Sequence, residues 1–225
     1  MANITICTPI RDAGKHVQRY LQQCTALDEL LYARGDKLSF VWAEGDSVDN
    51  TRMVLDGARF RFNATIVDCA HGGPKYASIV NADRFRQLAY VCNLMMAAVS
   101  VSADVVVILD SEYIWQAETL IALIDDVTDD QCMAPMVMHH RTGLFYDTWA
   151  FRRNGVNFTQ RPPFHVDLGD EILQVDSAGS CLAMPGHLAR SVNFPSENVI
   201  VGLCRQIYEQ GGSVWVNPAL SISHP

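Results

Sequence analysis

The sequence predicts an α/β fold, a mostly parallel sheet flanked by helices. Three observations lead there. In the first 110 residues, short apolar runs alternate with longer segments whose apolar residues recur at helical spacing. Residues 104–109, Asp-Val-Val-Val-Ile-Leu, form a continuous β-branched run of the kind found in a strand covered on both faces. Each strand of this half ends in polar or acidic residues, on the edge where α/β sheets bind ligands.

The elements follow in order. Residues 3–8 are a short apolar strand closed by Pro9. Residues 14–34 place Val17, Tyr20, Leu21, Cys24, Leu27, Leu30 and Leu31 at helical spacing, and Gly35-Asp36 ends the helix. A second strand covers 38–43, and a second helix covers 49–60, with Asp49 or Asn50 as its cap. A third strand covers 65–68. The glycine-rich loop His71-Gly72-Gly73-Pro74 leads to a helix from about Asn81. Residues 88–109 carry almost no charge, yet Asn93, Ser100, Ser102 and Asp104 interrupt them, so they read as a buried helix, a turn and a buried strand rather than a membrane span. A further helix begins near Trp115.

The second half changes character. Residues 145–151, Phe-Tyr-Asp-Thr-Trp-Ala-Phe, look strand-like, which puts Asp147 and Trp149 on one face. Residues 152–170, with Pro162-Pro163, read as a long loop. Strands follow near 172–175 and 180–184. A helix over 198–210 is stopped by Gly211-Gly212, and apolar segments at 214–218 and 221–225 close the chain. No internal repeat or second core is visible, so a single domain over 1–225 is expected.

Composition narrows the function. The chain has 225 residues, 49% of them apolar and 19% charged, as a compact globular protein should. A net charge of −8 argues against coating a phosphate backbone except through a local basic patch, and Arg84 with Arg86, and Arg152, Arg153 and Arg161, are such clusters. The seven cysteines are scattered, odd in number and free of Cys-x-x-Cys pairs, which implies buried free thiols in a reducing compartment. The N-terminal residues lack the basic and long apolar regions of a signal peptide. A cytoplasmic protein is expected, in the host cytoplasm if it is viral. No Gly-x-Gly-x-x-Gly follows the first strand and no Gly-Lys-Ser/Thr loop occurs, which speaks against a dinucleotide fingerprint and a P-loop.

The chemistry concentrates at Asp110-Ser111-Glu112. Side chains alternate along an extended segment, so Asp110 and Glu112 share a side. Two such carboxylates at a strand end suit a hard divalent cation, Mn²⁺ or Mg²⁺, that also takes substrate phosphates and offsets the charge of a diphosphate leaving group. An acidic turn capping the next helix is the plainer alternative. Arg11 pairing with Asp12 or Asp46, a solvated Arg84, a Glu197 that merely favours a helix dipole and a solvent-facing His224 are plain alternatives too. Asp147 with Trp149 is an acid beside an aromatic, which suits a sugar acceptor or simple packing. His139 and His140, adjacent on a strand, point to opposite faces and are no metal pair. Cys7 and Cys69 read as core.

Taken in order, the motifs resemble the GT-A fold glycosyltransferases, in particular the family-2-like branch that includes the fungal mannan-polymerase subunits and many small bacterial and phage enzymes. The resemblance runs from Ile4 to His224. Residues 4–12 look like the first strand and nucleotide-contacting loop, and 44–51 like the segment whose acid meets base or ribose. Residues 81–93 resemble an Arg-x-x-x-Leu-Ala-x-x-x-Asn helix. Residues 109–112 fall at the Asp-x-Asp motif, 195–198 at the motif that supplies a general base, and 222–225 at a strand whose histidine can ligate the metal. The resemblance implies a Rossmann-like mixed sheet, with a nucleotide-sugar-binding half over 1–112 and an acceptor-binding half over 113–225. It implies that Pro9, Arg11, Glu44, Asp46, Arg84 and Asp110 bind a UDP- or GDP-sugar, that Asp110, Glu112 and His224 hold Mn²⁺ or Mg²⁺, and that Glu197 is the base. The acceptor would be a saccharide or a hydroxymethylated base of phage DNA. Two positions depart from the pattern. Glu112 is one methylene longer than the usual aspartate, and Asn198 stands where many relatives carry a second acid. A sugar-nucleotide nucleotidyltransferase, faintly suggested by residues 8–15, and a non-catalytic nucleotide-sugar-binding protein are the alternatives.

Overall fold

The computed structural model describes residues 1–76, 80–166, 169 and 171–225. The expected alternation is present in the first half. β1 (Asn3–Ile10), β2 (Lys37–Glu44), β3 (Ala64–Asp68) and β4 (Val105–Leu109) are separated by α1 (Val17–Arg34), α2 (Thr51–Ala58) and α3 (Ala82–Ala97). β1 pairs in parallel with both β2 and β4, and β2 with β3. α1 buries Val17, Tyr20, Cys24, Leu27 and Leu31, one stripe at helical spacing. It stops where Gly35 adopts a φ of 83°, a left-handed cap that a Cβ would strain. α3 starts where the Asn81 side chain accepts the backbone N–H groups of Asp83 and Arg84 at 2.8 and 3.0 Å.

The second half comprises α4 (Ala117–Asp125), β5 (Gln131–His139), β6 (Arg152–Arg153), β7 (Val156–Asn157), β8 (Leu173–Val175), β9 (Cys181–Pro185), α5 (Gly186–Ser191), α6 (Val199–Glu209) and β10 (Ser213–His224). The main sheet runs β3-β2-β1-β4-β9-β5-β10-β8. β9 returns antiparallel to β4, β5 runs parallel to β10, and β8 lies antiparallel to β10. The sheet is therefore mixed and flanked by helices, parallel over its first four strands and again between β5 and β10. The buried apolar side chains of both halves join in one core, from Ile4 to Ile222.

Four local features differ from the sequence reading. β5 carries Pro135 in its interior, which reads against a strand. Pro135 faces Asn217, where β10 shifts register before Ser221, so the missing N–H falls where the partner strand bulges. The same bulge made β10 look like two segments. Residues 145–151 are not a strand, because the Asp147 carboxylate takes the N–H of Ala150 at 3.0 Å and folds the backbone into a turn. The stretch from 152 begins as a two-residue hairpin, β6 to β7, through Asn154 and Gly155 at φ 52° and 71°. Its later members Asp167, Leu168 and Asp170 lie outside the described residues. All seven cysteines are free and buried. Among the described residues no helix is long and apolar enough to cross a membrane.

Candidate functional site

A cavity of about 650 Å³ opens beyond the ends of β1, β4 and β10, lined among others by Pro9, Arg84, Asp110, Glu112, Asp147 and His224. Asp110 directly follows the buried run of β4, whose residues Val106–Leu109 are 4% exposed or less and hold the strand end in place. Backbone bonds between Ile114 and Ser223, both at 2.8 Å, bring the end of β10 beside the Asp-Ser-Glu segment. His224 consequently meets Glu112, with Nε2 at 3.0 Å from Oε1. The imidazole also stacks on Tyr146 with ring centres 3.7 Å apart and lies edge-on to Tyr113 at 5.8 Å.

Charge is concentrated here. Burial, and then the negative charges of Glu112 and Asp147, push the Asp110 carboxyl up to about 7. Burial also raises Asp147, although it accepts from Ala150 N–H and lies 3.4 Å from the Ser180 hydroxyl. The hydrogen bond with His224 holds Glu112 below its ordinary value against the effect of burial. Burial alone would lower His224, but the bond to Glu112 and that carboxylate's charge raise it. Among the described residues, no three His, Cys, Asp or Glu side chains are set as a ready ligand group. The donor chemistry nevertheless fits a hard cation, since mutual repulsion among these carboxylates is what a divalent ion would relieve. Binding one through both Glu112 and His224 requires their hydrogen bond to give way.

A second cavity of about 240 Å³ adjoins the first and shares Pro9, Lys75, Tyr76, Arg84 and Leu88 with it. Arg11 lines it, donating from Nη2 to Gly73 O at 3.0 Å and from Nη1 to Pro74 O at 3.4 Å, while its buried Nε has no partner. Gly45 lines it too. A Cβ there would collide with the Cys69–Ala70 backbone, so only glycine lets β2 pass this close.

The expected donor-side acids are placed differently. The Asp46 carboxylate accepts the backbone N–H groups of His71 and Gly72, and so shapes the glycine-rich loop, with its pKa lowered by those bonds. Glu44 is 3% exposed and paired with Arg52 at 3.2 Å. Neither is among the residues lining these cavities. Glu197 is exposed and lines a separate cavity of about 330 Å³ with Pro195, Asn198, Val201, Gly202 and Arg205, so the structure does not bring it to Asp110. Asp147 and Trp149 both line the main cavity, carried by a turn rather than a shared strand face.

Several participants escaped the sequence reading. Lys75 and Tyr76 follow the glycine-rich loop, which was their only local signal. Tyr146, Ser180 and Phe194 reach the cavity through long-range packing. Phe194 is fixed by Asn93, whose side chain takes its N–H at 2.8 Å and donates to its C=O at 2.9 Å.

No protein-family model and no curated protein matches the chain. Among solved structures, S. aureus TarS superposes with a TM-score of 0.61 at 14% identity, over 99% of this chain and 60% of that one. The catalytic domain of Drosophila β1,4-galactosyltransferase 7, solved with xylobiose, gives 0.53 at 9% identity over 100% and 71%. The 4-diphosphocytidyl-2C-methyl-D-erythritol synthase of Anaerococcus prevotii gives 0.52 at 12% over 96% and 86%. At such identities the likeness is one of fold, the fold of GT-A glycosyltransferases and of nucleotidyltransferases. The chain spans about 60% of the TarS length.

Proposed function

We propose that the chain is a cation-assisted glycosyltransferase that moves a sugar from a nucleoside diphosphate to a hydroxyl acceptor. The observation that carries this reading is the convergence of Asp110, Glu112, Asp147 and His224 on one cavity at the strand ends. Proteins of this fold support it, since TarS has been solved with UDP-GlcNAc and the Drosophila enzyme with manganese, UDP-Gal and xylobiose.

In this reading residues 1–112 hold the donor and 113–225 the acceptor. Pro9 and Arg11 wall the nucleoside, Glu44 and Asp46 support that wall from behind, and Arg84 faces the phosphates from between the two cavities. Asp110 and Glu112, with His224, would hold Mn²⁺ or Mg²⁺, which supplies charge compensation for the diphosphate. The acceptor oxygen forms a bond to the anomeric carbon. The bond from that carbon to the diphosphate oxygen breaks, and its electron pair leaves with the nucleoside diphosphate. The acceptor proton needs a carboxylate. Asp147 lies in the cavity with its basicity raised by burial, so it is the base here, with Trp149 beside it to stack on the acceptor. Glu197, implied by the family pattern, lines a separate cavity and is the second candidate for this role. A reducing, cytoplasmic setting fits the seven buried thiols.

A panel of nucleoside diphosphates with Mn²⁺ or EDTA, read by thermal shift, tests the reading. A ligand at about 100 times its Kd adds roughly 2.7 kcal/mol, and the reading fails if no diphosphate stabilises the protein in a metal-dependent way. The fold shared with the A. prevotii synthase keeps a nucleotidyltransferase as second reading. Pyrophosphate release from a sugar phosphate and a nucleoside triphosphate would select it. Donor binding without transfer or hydrolysis would select a non-catalytic binding protein.

A further inference from the structure

Residues 141–161 contain Arg141, Arg152, Arg153 and Arg161 against a single acid, the buried Asp147, in a chain of net charge −8. None of these arginines makes an ion pair among the described residues, whereas Arg34, Arg52, Arg86 and Arg205 each face a carboxylate. The basic stretch reaches the main cavity through Trp149 and begins two residues after His139, whose ring neighbours that of His224. The Arg152 guanidinium lies 5.1 Å from the ring centre of Trp149, which lines the cavity and is 45% exposed. At the other end Arg141 is exposed and donates its backbone N–H to His139 Nδ1 at 3.3 Å, and the His139 ring lies 6.4 Å from that of His224. Between them the stacked Tyr146 and His224 rings form the cavity wall. The rim thus carries Arg152 over Trp149 on one side and the Tyr146–His224 stack on the other, with the exposed Arg141 two residues beyond His139.

We propose that this rim receives a single-stranded nucleic acid as the acceptor, with Arg141 and Arg152 on backbone phosphates and Trp149 stacked on a base. Arginines without an ion pair among the described residues, interleaved with an exposed aromatic ring, match the charge and the flat faces of a single strand. A neutral saccharide would leave those cations without a counterpart. A paired duplex keeps its bases stacked and out of reach of a cavity, so the strand enters single or with one nucleotide extruded. A hydroxyl of that nucleotide then meets the transfer step already described. This assignment rests on reading the cavity as the acceptor side of a transferase.

The test is fluorescence anisotropy of a labelled single-stranded oligonucleotide on the whole chain across a salt series, with inorganic polyphosphate, a matched duplex and a neutral oligosaccharide as competitors. Binding is expected to weaken steeply with salt. The Arg141→Ala/Arg152→Ala double variant should weaken it by roughly tenfold and flatten the log–log salt slope by about 1.4, two single-strand phosphate contacts. Trp149→Ala should weaken oligonucleotide binding on the order of tenfold and leave polyphosphate binding alone. Arg152→Gln replaces the double variant if that fails to fold. The proposal is overturned by absent binding, by binding indifferent to these variants, by a duplex or the saccharide competing better than single strand, or by polyphosphate competing equally with no effect of Trp149→Ala. The nucleoside diphosphate thermal shift, run on the same samples, reports on the donor site separately. Its failure alone removes the transferase reading, whereas failure of the oligonucleotide alone removes the nucleic-acid acceptor.

Discussion

The imidazole Nε2 of His224 lies 3.0 Å from Oε1 of Glu112, joining the end of β10 to the residue two beyond Asp110 across 112 positions of sequence. The contact raises the histidine's pKa and lowers the glutamate's, so the pair stabilises the fold while both are charged. The glutamate contributes above its ordinary value of 4.5, losing this as pH falls through its depressed folded value. The histidine contributes fully below its ordinary 6.5, losing this as pH rises through its elevated folded value. Glu112→Gln should therefore lower the Tm of EDTA-treated protein most between these two values and little at alkaline pH. Glu112 is 47% exposed, so solvent screening keeps the effect to about 1 kcal/mol or less, a shift of about 2 °C. A Tm change independent of pH would contradict the pair.

Asp110 has the opposite sign. Its carboxyl is pushed up to about 7, so the native state holds its proton more tightly than the unfolded chain, and stability is lost as pH climbs from about 4 through 7. Asp110→Asn removes that loss. The metal-free variant should be more stable than the parent at pH ~8, by at most ~4 kcal/mol, and nearly equal to it at pH ~4. The same change should abolish Mn²⁺-dependent stabilisation by a nucleoside diphosphate. Matched pH profiles of chemical denaturation decide it, and a variant that gains nothing at alkaline pH sinks the account.

The sheet's parallel half was legible because its strands are β-branched runs and its helices carry single apolar stripes, as in residues 104–109 and in α1. The place of Asp110 and Glu112 at a strand end was legible for the same reason, since they follow directly on the strongest strand. What stayed hidden depends on distance or on compensation. β5 was given no element in the sequence reading, and the bulge that accommodates its Pro135 lies on another strand, opposite at Asn217. The turn at Asp147 looked like a strand because its aromatic neighbours have strand propensity, while one side-chain hydrogen bond decides the backbone. The family resemblance implies donor contacts for Glu44 and Asp46, yet Arg52 and the loop N–H groups take their oxygens, partners that no local pattern announces.

Between α1 and the sheet, Thr8, Tyr20 and Trp42 are fully buried and share one hydroxyl. The Tyr20 oxygen lies 2.8 Å from Thr8 Oγ1 and accepts Trp42 Nε1–H at 3.1 Å. This ties α1 to β1 and β2. Tyr20→Phe keeps the ring and its packing but leaves the indole N–H without an acceptor in a dry core, which costs about 1–3 kcal/mol. The denaturant midpoint should fall at unchanged m-value. An unchanged midpoint would mean that the hydroxyl contributes nothing.

The two candidate bases separate experimentally. Asp147 lines the cavity with Asp110 and Tyr146, whereas Glu197 lines another cavity with Pro195 and Arg205. If proton removal belongs to Asp147, then Asp147→Asn should lower transfer by roughly 10²–10⁴-fold while donor binding survives. Glu197→Gln should leave the rate within about threefold of the parent, because an exposed acid beside a helix start contributes mainly a small dipole effect. Asp147 also holds the turn to Ala150, so folding must be checked alongside. Asparagine keeps an oxygen for that N–H, and the Tm should fall by only a few degrees. The pH–rate profile adds an independent readout. Burial raises the Asp147 carboxyl, so the acidic limb of the parent's profile should sit above the ordinary carboxylate range and vanish in Asp147→Asn. A limb that vanishes in Glu197→Gln instead would move the base to the start of α6 and require that segment to close over the cavity.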